Sequence, residues 1–333
     1  MAGVSQTTVS LVLNGTGSRQ RRVGEEVANR VLRAIEVTGY AANPVAQSLA
    51  GGRSSIVGVY TYEPVFPASA GNFYHPFLEG METEAQRLGI DLLLFTSMGE
   101  GETGLVSGTR LRRLQVADGC VLLGRHSRPE DLDELLRQDF PFAFVGRRAA
   151  HRGTVPFAAA AYADATEAVV RRLLDLGHRR VALVNGFTGH ESVEDRARGY
   201  RRAMASAGRQ PVTFDLGDNP VGDLVDALLA SDMTAAVVSA DLAAPLRLAA
   251  LDRGLEVPGD LSIARLGDPE TPEPVPVDWT GFLIPRREMG VRALQIVMGQ
   301  LTPGDDTELQ TYIPCTVVDG TTVAPPQPAA GRR

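Results

Sequence analysis

Three short stretches of this chain carry side chains at spacings that chemistry uses. The first, Gly99-Glu100-Gly101-Glu102-Thr103-Gly104, has the spacing of a glycine-rich phosphate loop. Such a loop presents backbone N–H groups to a pyrophosphate, and Glu100 and Glu102 would repel it. Asp118 stands about twenty residues on, where a ribose-binding acid belongs, yet it precedes an apolar run instead of ending one. An exposed acidic loop is the better reading. The second, His190-Glu191, lacks the second histidine of a zinc-protease helix, and His178, at a helix-to-strand turn, reads as structural. There is no Gly-x-Ser-x-Gly elbow. All 33 basic residues are arginine, so no phosphate-loop lysine exists, and Cys120 and Cys315 form no Cys-x-x-Cys pair. The chain offers no catalytic group, no metal site and no cofactor site, and reads as a non-enzyme. The third stretch is different. Gln6, Thr7 and Ser10 follow Ser5, and short polar side chains near a helix N-terminus can meet base edges in a major groove.

Pattern indicates the elements that position these groups. Ser5 is a good N-cap for a helix over residues 6–13, with Val9, Val12 and Leu13 on one side and Gln6, Thr7 and Ser10 on the other. An ordinary capped surface helix is the alternative. Residues 16–22 form a loop bearing Arg19, Arg21 and Arg22. Residues 24–38 read as a helix with Val27, Val31, Leu32 and Ile35 inward, stopped by Gly39. In residues 43–52, Asn43 is a natural N-cap, Pro44 suits the first helical position and Gly51-Gly52 end the turn. Isolated helices need ~12–15 residues, so this one is too short to stand alone. Its Val45 and Leu49 need a partner. Either the segment is a half-ordered linker, or it folds only when paired on DNA with Leu49 wedged into the minor groove. Residues 1–53 carry six arginines against three glutamates, a net +3, so the other 280 residues carry −10 of the overall −7. A basic head on an acidic body permits local phosphate binding without a sticky surface.

The 333 residues exceed what one core organises, and 44% hydrophobic with 22% charged residues is the composition of a soluble globular chain. No apolar run reaches the ~18–20 residues that cross a bilayer. The start lacks the basic region of a secretory signal, and the cysteine usage suits a reducing compartment. A cytoplasmic protein without a membrane partner is expected. Apolar runs at 56–60, 90–95, 120–123, 142–145, 181–185, 235–239 and 261–266 alternate with helical patterns at 77–88, 109–114, 131–138, 165–176, 193–207, 223–230 and 244–253. Such alternation implies an α/β fold. Two series imply two doubly wound lobes of parallel sheet, with ligands outside the carboxyl ends of the strands. Arg147 and Asp241 each follow an apolar run and so face such a cleft; Asp241 has a second reading as a helix cap.

The segments AGVSQTTVSLVLNG and VLRAIEVTGYAANPVAQSLAGGRSSIVGV are followed in order by LEGMETEAQRLGIDLLL, ADGCVLLG, LLDLGHRRVALVNG, EDRARGYRRAMASAG and GLEVPGDLSIARLGD. Together they resemble the lactose/galactose-repressor (LacI/GalR) family of bacterial regulators over nearly the whole chain. The resemblance implies a small all-α helix-turn-helix head at 1–42 and a hinge helix and linker at 43–55. It also implies a two-lobed periplasmic-binding-protein-like body, with lobe 1 at 56–155 and 282–314 and lobe 2 at 156–281 and 315–333. The chain would cross between lobes near Pro156, Phe282 and Pro314. Gln6 and Thr7 would read bases, Val45 and Ala46 pair the hinge helices, and Leu49 act as the wedge. Ser5, Ser10, Asn43, Arg19, Arg21 and Arg22 complete the expected DNA-binding set. Arg196 would clamp effector hydroxyls or carboxylates, contacts that an arginine fork suits; a surface arginine paired at i/i+4 is the alternative. Tyr74, His75 and Phe77 stand where the family has an effector-side loop, and Asp268 stands beside a family acidic position.

The departures matter as much. Met1 replaces the first helix of the form xxDVAxxAGVS, so the true start is expected upstream. Leu11 stands where an arginine is common, and the loop at 16–22 is longer than usual. Gly146, Ala240 and Gly267 replace acidic or amide acceptors of sugar-binding members, and an aromatic stacking position falls on or near Asn219. These losses weaken the case for a simple monosaccharide. The expected partners are operator DNA, a small-molecule effector (a sugar or other metabolite) and a second copy in a homodimer, with repression as the outcome. A solute-binding protein of the same body fold would need a signal peptide and no basic head. A nucleotide-dependent enzyme would need the phosphate or nucleophile motifs that are missing.

Overall fold

The structure, a computed structural model, describes residues 2–5, 8–9, 11–12, 23–38, 54–63, 73–95, 113–148, 154–186, 189–269, 273 and 275–327. Of the expected DNA-binding set only Ser5 is among them; Gln6, Thr7, Ser10, Arg19, Arg21, Arg22, Asn43, Val45, Ala46 and Leu49 lie outside, as does the stretch 99–104. Ser5 does cap a helical turn. Its carbonyl accepts the Thr8 and Val9 N–H groups at 3.0 and 3.1 Å, and its Oγ accepts the Thr8 N–H at 3.2 Å. Helix α1, Glu25–Thr38, opens on two glutamates that suit its positive end. Arg30 Nε donates to the Ala2 carbonyl at 2.9 Å, tying the two pieces together. Val12 and Val31 are buried, but Leu32, expected inward, is 49% exposed. It lies about 100° around the axis from Val31 and so leaves the apolar stripe.

The body runs β1 (Ile56–Thr61), α2 (His75–Leu88), β2 (Asp91–Phe95), β3 (Gly119–Leu123), α3 (Pro129–Arg137), β4 (Phe142–Val145) and β5 (Phe157–Ala160). It continues with α4 (Tyr162–Asp175), β6 (Val181–Asn185), α5 (Glu191–Ser206), β7 (Val212–Asp215), α6 (Val221–Ala230) and β8 (Ala235–Ser239). Then come α7 (Ala240–Leu251), β9 (Ser262–Leu266), β10 (Gly281–Leu283), α8 (Arg286–Leu301), β11 (Gln310–Ile313) and β12 (Thr316–Val318). These strands form two six-stranded sheets, β11-β5-β4-β3-β1-β2 and β12-β10-β9-β8-β6-β7. Every pairing is parallel except β10 with β12. Central strands such as Gly119–Leu123 and Val181–Asn185 are buried throughout, as strands covered on both faces must be, while the edge strand β7 alternates. Each sheet carries one apolar cluster on either face. Among the described residues no helix is long and apolar enough to cross a membrane.

The boundaries between lobes differ from expectation at two points. Phe157–Ala160 pairs with β4 and β11 in the first sheet, so the first crossing falls between Ala160 and Tyr162 rather than near Pro156. A run of alanines gives no β signal; hydrogen bonding to two neighbours makes it a strand. Phe282 still belongs to the second sheet, and the second crossing follows Leu283. The third lies between Ile313 and Thr316. At each crossing one side chain (Tyr162, Ile284, Cys315) packs against apolar clusters of both lobes. Close helix packing needs bare backbone at particular points. A Cβ on Gly290 of α8 would sit 2.1 Å from the Phe77 carbonyl of α2, and one on Gly199 of α5 would sit 2.0 Å from the Ala163 carbonyl of α4.

Three polar side chains fix joints. Asp118 accepts Ser54 N–H, Ser54 Oγ and Ser55 N–H at 2.8–2.9 Å, so both its oxygens anchor the start of β1 instead of binding a ribose. His178 is buried between Thr234 Oγ1 and the Ala324 carbonyl, both at 2.8 Å, the structural role its turn suggests. The Tyr200 hydroxyl accepts the Val212 N–H at 2.7 Å and meets the Val181 carbonyl at 2.9 Å, pinning α5 to β6 and β7.

Candidate functional site

The carboxyl ends of the two sheets face each other across a cleft of about 1120 Å³, its open mouth included. This is where a doubly wound sheet offers loops and helix starts to a ligand. Tyr74, Phe77, Arg147, Arg196, Asp241 and Asp268 all line it. His75 does not: it begins α2, is exposed, and stands outside the lining.

Arg196 sits on the first turns of α5, its guanidinium carbon 4.1 Å from the centre of the Tyr162 ring. Nη1 donates to the Ser192 carbonyl at 3.2 Å, while Nε is buried without a hydrogen-bond partner among the described residues. Its neighbours on the helix hold ion pairs that Arg196 lacks among the described residues. Arg198 pairs with Asp195, and Arg202 with Asp164 and Glu167.

Arg147 lines the cleft but is already engaged. From the end of β4 it reaches across to α5, pairing with Asp195 at 3.0 Å and Glu194 at 3.3 Å and donating to the Glu191 carbonyl at 3.2 Å. Burial works against its charge, yet Asp195 and Glu194 outweigh burial and hold the guanidinium above its ordinary value. Arg147 thus bridges the lobes before it can serve a ligand.

Asp241 is exposed in the first turn of α7, where a carboxylate suits the helix dipole. It is not the cap. Ser239 holds that position, and its Oγ accepts the Gly186 N–H at 3.0 Å. Asp268 Oδ2 accepts the Ile284 N–H at 2.9 Å, and its backbone carbonyl accepts Arg286 Nη2 at 3.0 Å. The Tyr74 hydroxyl donates to Glu63 at 2.7 Å, so its polar edge is already engaged. Burial alone would raise the Glu63 carboxyl, but Tyr74, His126 and the Arg125 N–H bond to it and hold it below its usual range.

Sequence reasoning missed Arg148, Arg125, Tyr162, Asp195 and His190. The Arg148 side chain is 9% exposed, lies over the Phe144 ring, and donates to the carbonyls of Gly124, Arg125 and Arg147. It reaches Glu191 on the facing lobe at 3.3 Å. Only its place directly after Arg147 at a strand end could have marked it. Two histidines also meet across the cleft, His126 from lobe 1 and His190 from lobe 2, with ring centres 4.7 Å apart. Burial, then His126 and Arg148, push His190 below its ordinary 6.5. The unfolded chain therefore takes up this proton more readily, and the contribution to stability, complete above about pH 6.5, is lost as pH falls through the folded value. Acidification from pH 7 to 5 should lower the melting temperature of the wild type more than that of His190→Gln. Parallel pH slopes for the two proteins would remove His190 from the account.

Among the described residues no three His, Cys, Asp or Glu side chains gather as a metal site. Residues 1–43 match the bacterial regulatory proteins of the lacI family, and residues 170–323 match the periplasmic binding protein-like domain. The chain is 28% identical over 311 residues to catabolite control protein A of Priestia megaterium, with 89% of each chain covered. It is 27% identical over 324 residues to the HTH-type transcriptional regulator CelR of Thermobifida fusca, covering 92% of this chain and 91% of that one. In three dimensions it is similar to the lac repressor dimer bound to operator and the anti-inducer ONPF. That likeness has a TM-score of 0.70 at 24% identity, over 97% of this chain and 96% of the other.

Proposed function

This chain belongs to the lacI family of bacterial regulatory proteins, and from that premise we propose a cytoplasmic, homodimeric transcriptional repressor whose grip on operator DNA is set by a small molecule in the cleft. One observation carries the reading: a single chain joins a head that matches the lacI family to a two-lobed body whose cleft lies at the carboxyl ends of both sheets. We assign it no catalytic step, because its work is one binding event coupled to another.

In this reading Gln6, Thr7 and Ser10 choose sequence, Ser5 shapes the helix that presents them, and Arg19, Arg21 and Arg22 hold phosphates. Asn43, Val45 and Ala46 build a hinge helix that orders against its twin, and Leu49 opens the minor groove. Two-fold protein symmetry requires near-palindromic half-sites. Arg196, Phe77 and Asp268 receive the effector, while Arg147 and Arg148 report its presence because they join the lobes. Coupling of this kind is typically ~1–3 kcal/mol.

Selection of bound duplexes from a random pool should return a two-fold-symmetric consensus; recovery of no consensus would end the DNA reading. Against the selected site, Leu49→Ala is expected to weaken binding about tenfold, the equivalent of ~1.4 kcal/mol. Binding to scrambled duplex should change far less, since phosphate contacts dominate there. Equal losses on both duplexes, measured at one salt concentration, would contradict the wedge.

A further inference from the structure

We propose that the two lobes meet through a proton-sensitive contact: His126 and His190 face each other across the cleft, and protonation of His190 drives the lobes apart.

The two rings meet edge to face, with centres 4.7 Å apart and planes at 61°. Uncharged rings gain from that arrangement. His126 follows β3 in lobe 1, and its side chain is 76% exposed, so water and protons reach the pair. His190 stands at the start of α5 in lobe 2, where its carbonyl accepts the Val193 and Glu194 N–H groups at 3.0 and 3.3 Å. Its ring therefore lies at the positive end of the helix, a poor place for a cation.

The charged groups around the pair do not relieve this. In lobe 1, Glu63 follows β1 and is already engaged by the Tyr74 hydroxyl, the Arg125 N–H and His126 Nδ1. Its carboxyl is held below the usual range against burial, so it stays ionised through mild acid. On α5, Glu191 pairs with Arg148 at 3.3 Å, and Glu194 and Asp195 pair with Arg147 at 3.3 and 3.0 Å. What opposes a charge on His190 is burial first, then His126 and Arg148, with Arg125 behind them; a backbone bond to Arg125 offsets these only in part. Parting the lobes removes the burial and the lobe 1 cations together, so a proton binds the parted arrangement better.

The sign follows. Above about pH 6.5 His190 is neutral in both arrangements and the contact stands. As pH falls, the charged ring accumulates where the lobes are apart. One pH unit of difference in proton affinity changes the ratio of the two arrangements by up to about tenfold. On the effector-cleft reading above, a guest that needs both lobes is then held less tightly in acid.

The test is a distance measurement by pulsed electron paramagnetic resonance on the full chain with no guest added. Spin labels go on Glu130→Cys, after β3, and Asp218→Cys, after β7, both exposed positions. A Cys315→Ala background is common to every protein compared, and Cys120 is buried and takes no label. Dilution with unlabelled chain restricts the reading to distances within one chain. From about pH 7.5 to about pH 5.5 the distribution should gain a longer component, with its midpoint below about 6.5. His190→Gln should keep the short distance at both pH values, and His190→Arg, charged at both, should show the long one. His126→Gln should shrink the pH response without abolishing it, because Arg148 remains. A wild-type distribution that ignores pH overturns the proposal, whatever the variants do. An equal pH response in His190→Gln also overturns it, since the carboxylates of the cross-lobe ion pairs would then be the groups that titrate. Neither result touches the effector reading, which fails separately if no metabolite raises the melting temperature at any pH.

Discussion

Arg196→Ala is expected to move the effector concentration for half-maximal response by about thirtyfold or more. Truncating one partner of a hydrogen-bonded charged contact in a desolvated site typically costs ~2–5 kcal/mol, and 2 kcal/mol is already about thirtyfold in affinity. The stack on Tyr162 adds to the loss, since the ring would face a gap where the guanidinium lay. Removing a cation that has no ion-pair partner among the described residues works the other way for the fold, so binding should suffer more than stability. A metabolite that raises the melting temperature identifies the effector, and a gel-shift titration on the selected operator then gives the midpoint. An unmoved midpoint would exclude Arg196 as the clamp.

Asp195→Ala should destabilise the body by about 3 kcal/mol, the lower end of the range for removing one partner from a buried ion pair. The Asp195 side chain is 3% exposed, and its loss leaves Arg147, at 22% exposure, with only the exposed Glu194 and a backbone carbonyl among the described residues. Arg147 keeps some contact with water, which sets the lower end. The double variant Arg147→Met with Asp195→Ala should recover part of the loss, because no cation is then stranded. Urea denaturation of the four proteins in the cycle measures both numbers. Additive losses would mean that the two residues do not act as a pair.

Much of the architecture was legible because parallel strands covered on both faces are unbroken apolar runs: Gly119–Leu123 and Val181–Asn185 announce themselves. Phe157–Ala160 does not, since its alanines acquire strand character only from neighbours brought from residues 142–145 and 310–313. The edge strand Val212–Asp215 is too short and too alternating to stand out. The cleft divides the same way. A residue that ends a strand can be placed from sequence, as Arg147 and Asp241 were, whereas Asp268 was placed only by the family resemblance; all three line the cleft. What such a residue binds is decided by the facing lobe. The partners of Arg147 lie 44 to 48 positions further on in α5, so its engagement was invisible, as was the burial of Arg148. His75 was misplaced because residues two apart on a helix point roughly 200° from each other, so that Phe77 faces inward and His75 does not.

The shared packing of Tyr162, Ile284 and Cys315 has a mechanical consequence. Apolar contact has no preferred direction, so tilting one lobe slides these three residues past their neighbours with little change in buried area. The Arg147–Asp195 contact at 3.0 Å tolerates no comparable slip. The body thus behaves as two halves on a greased pivot held by a brittle catch.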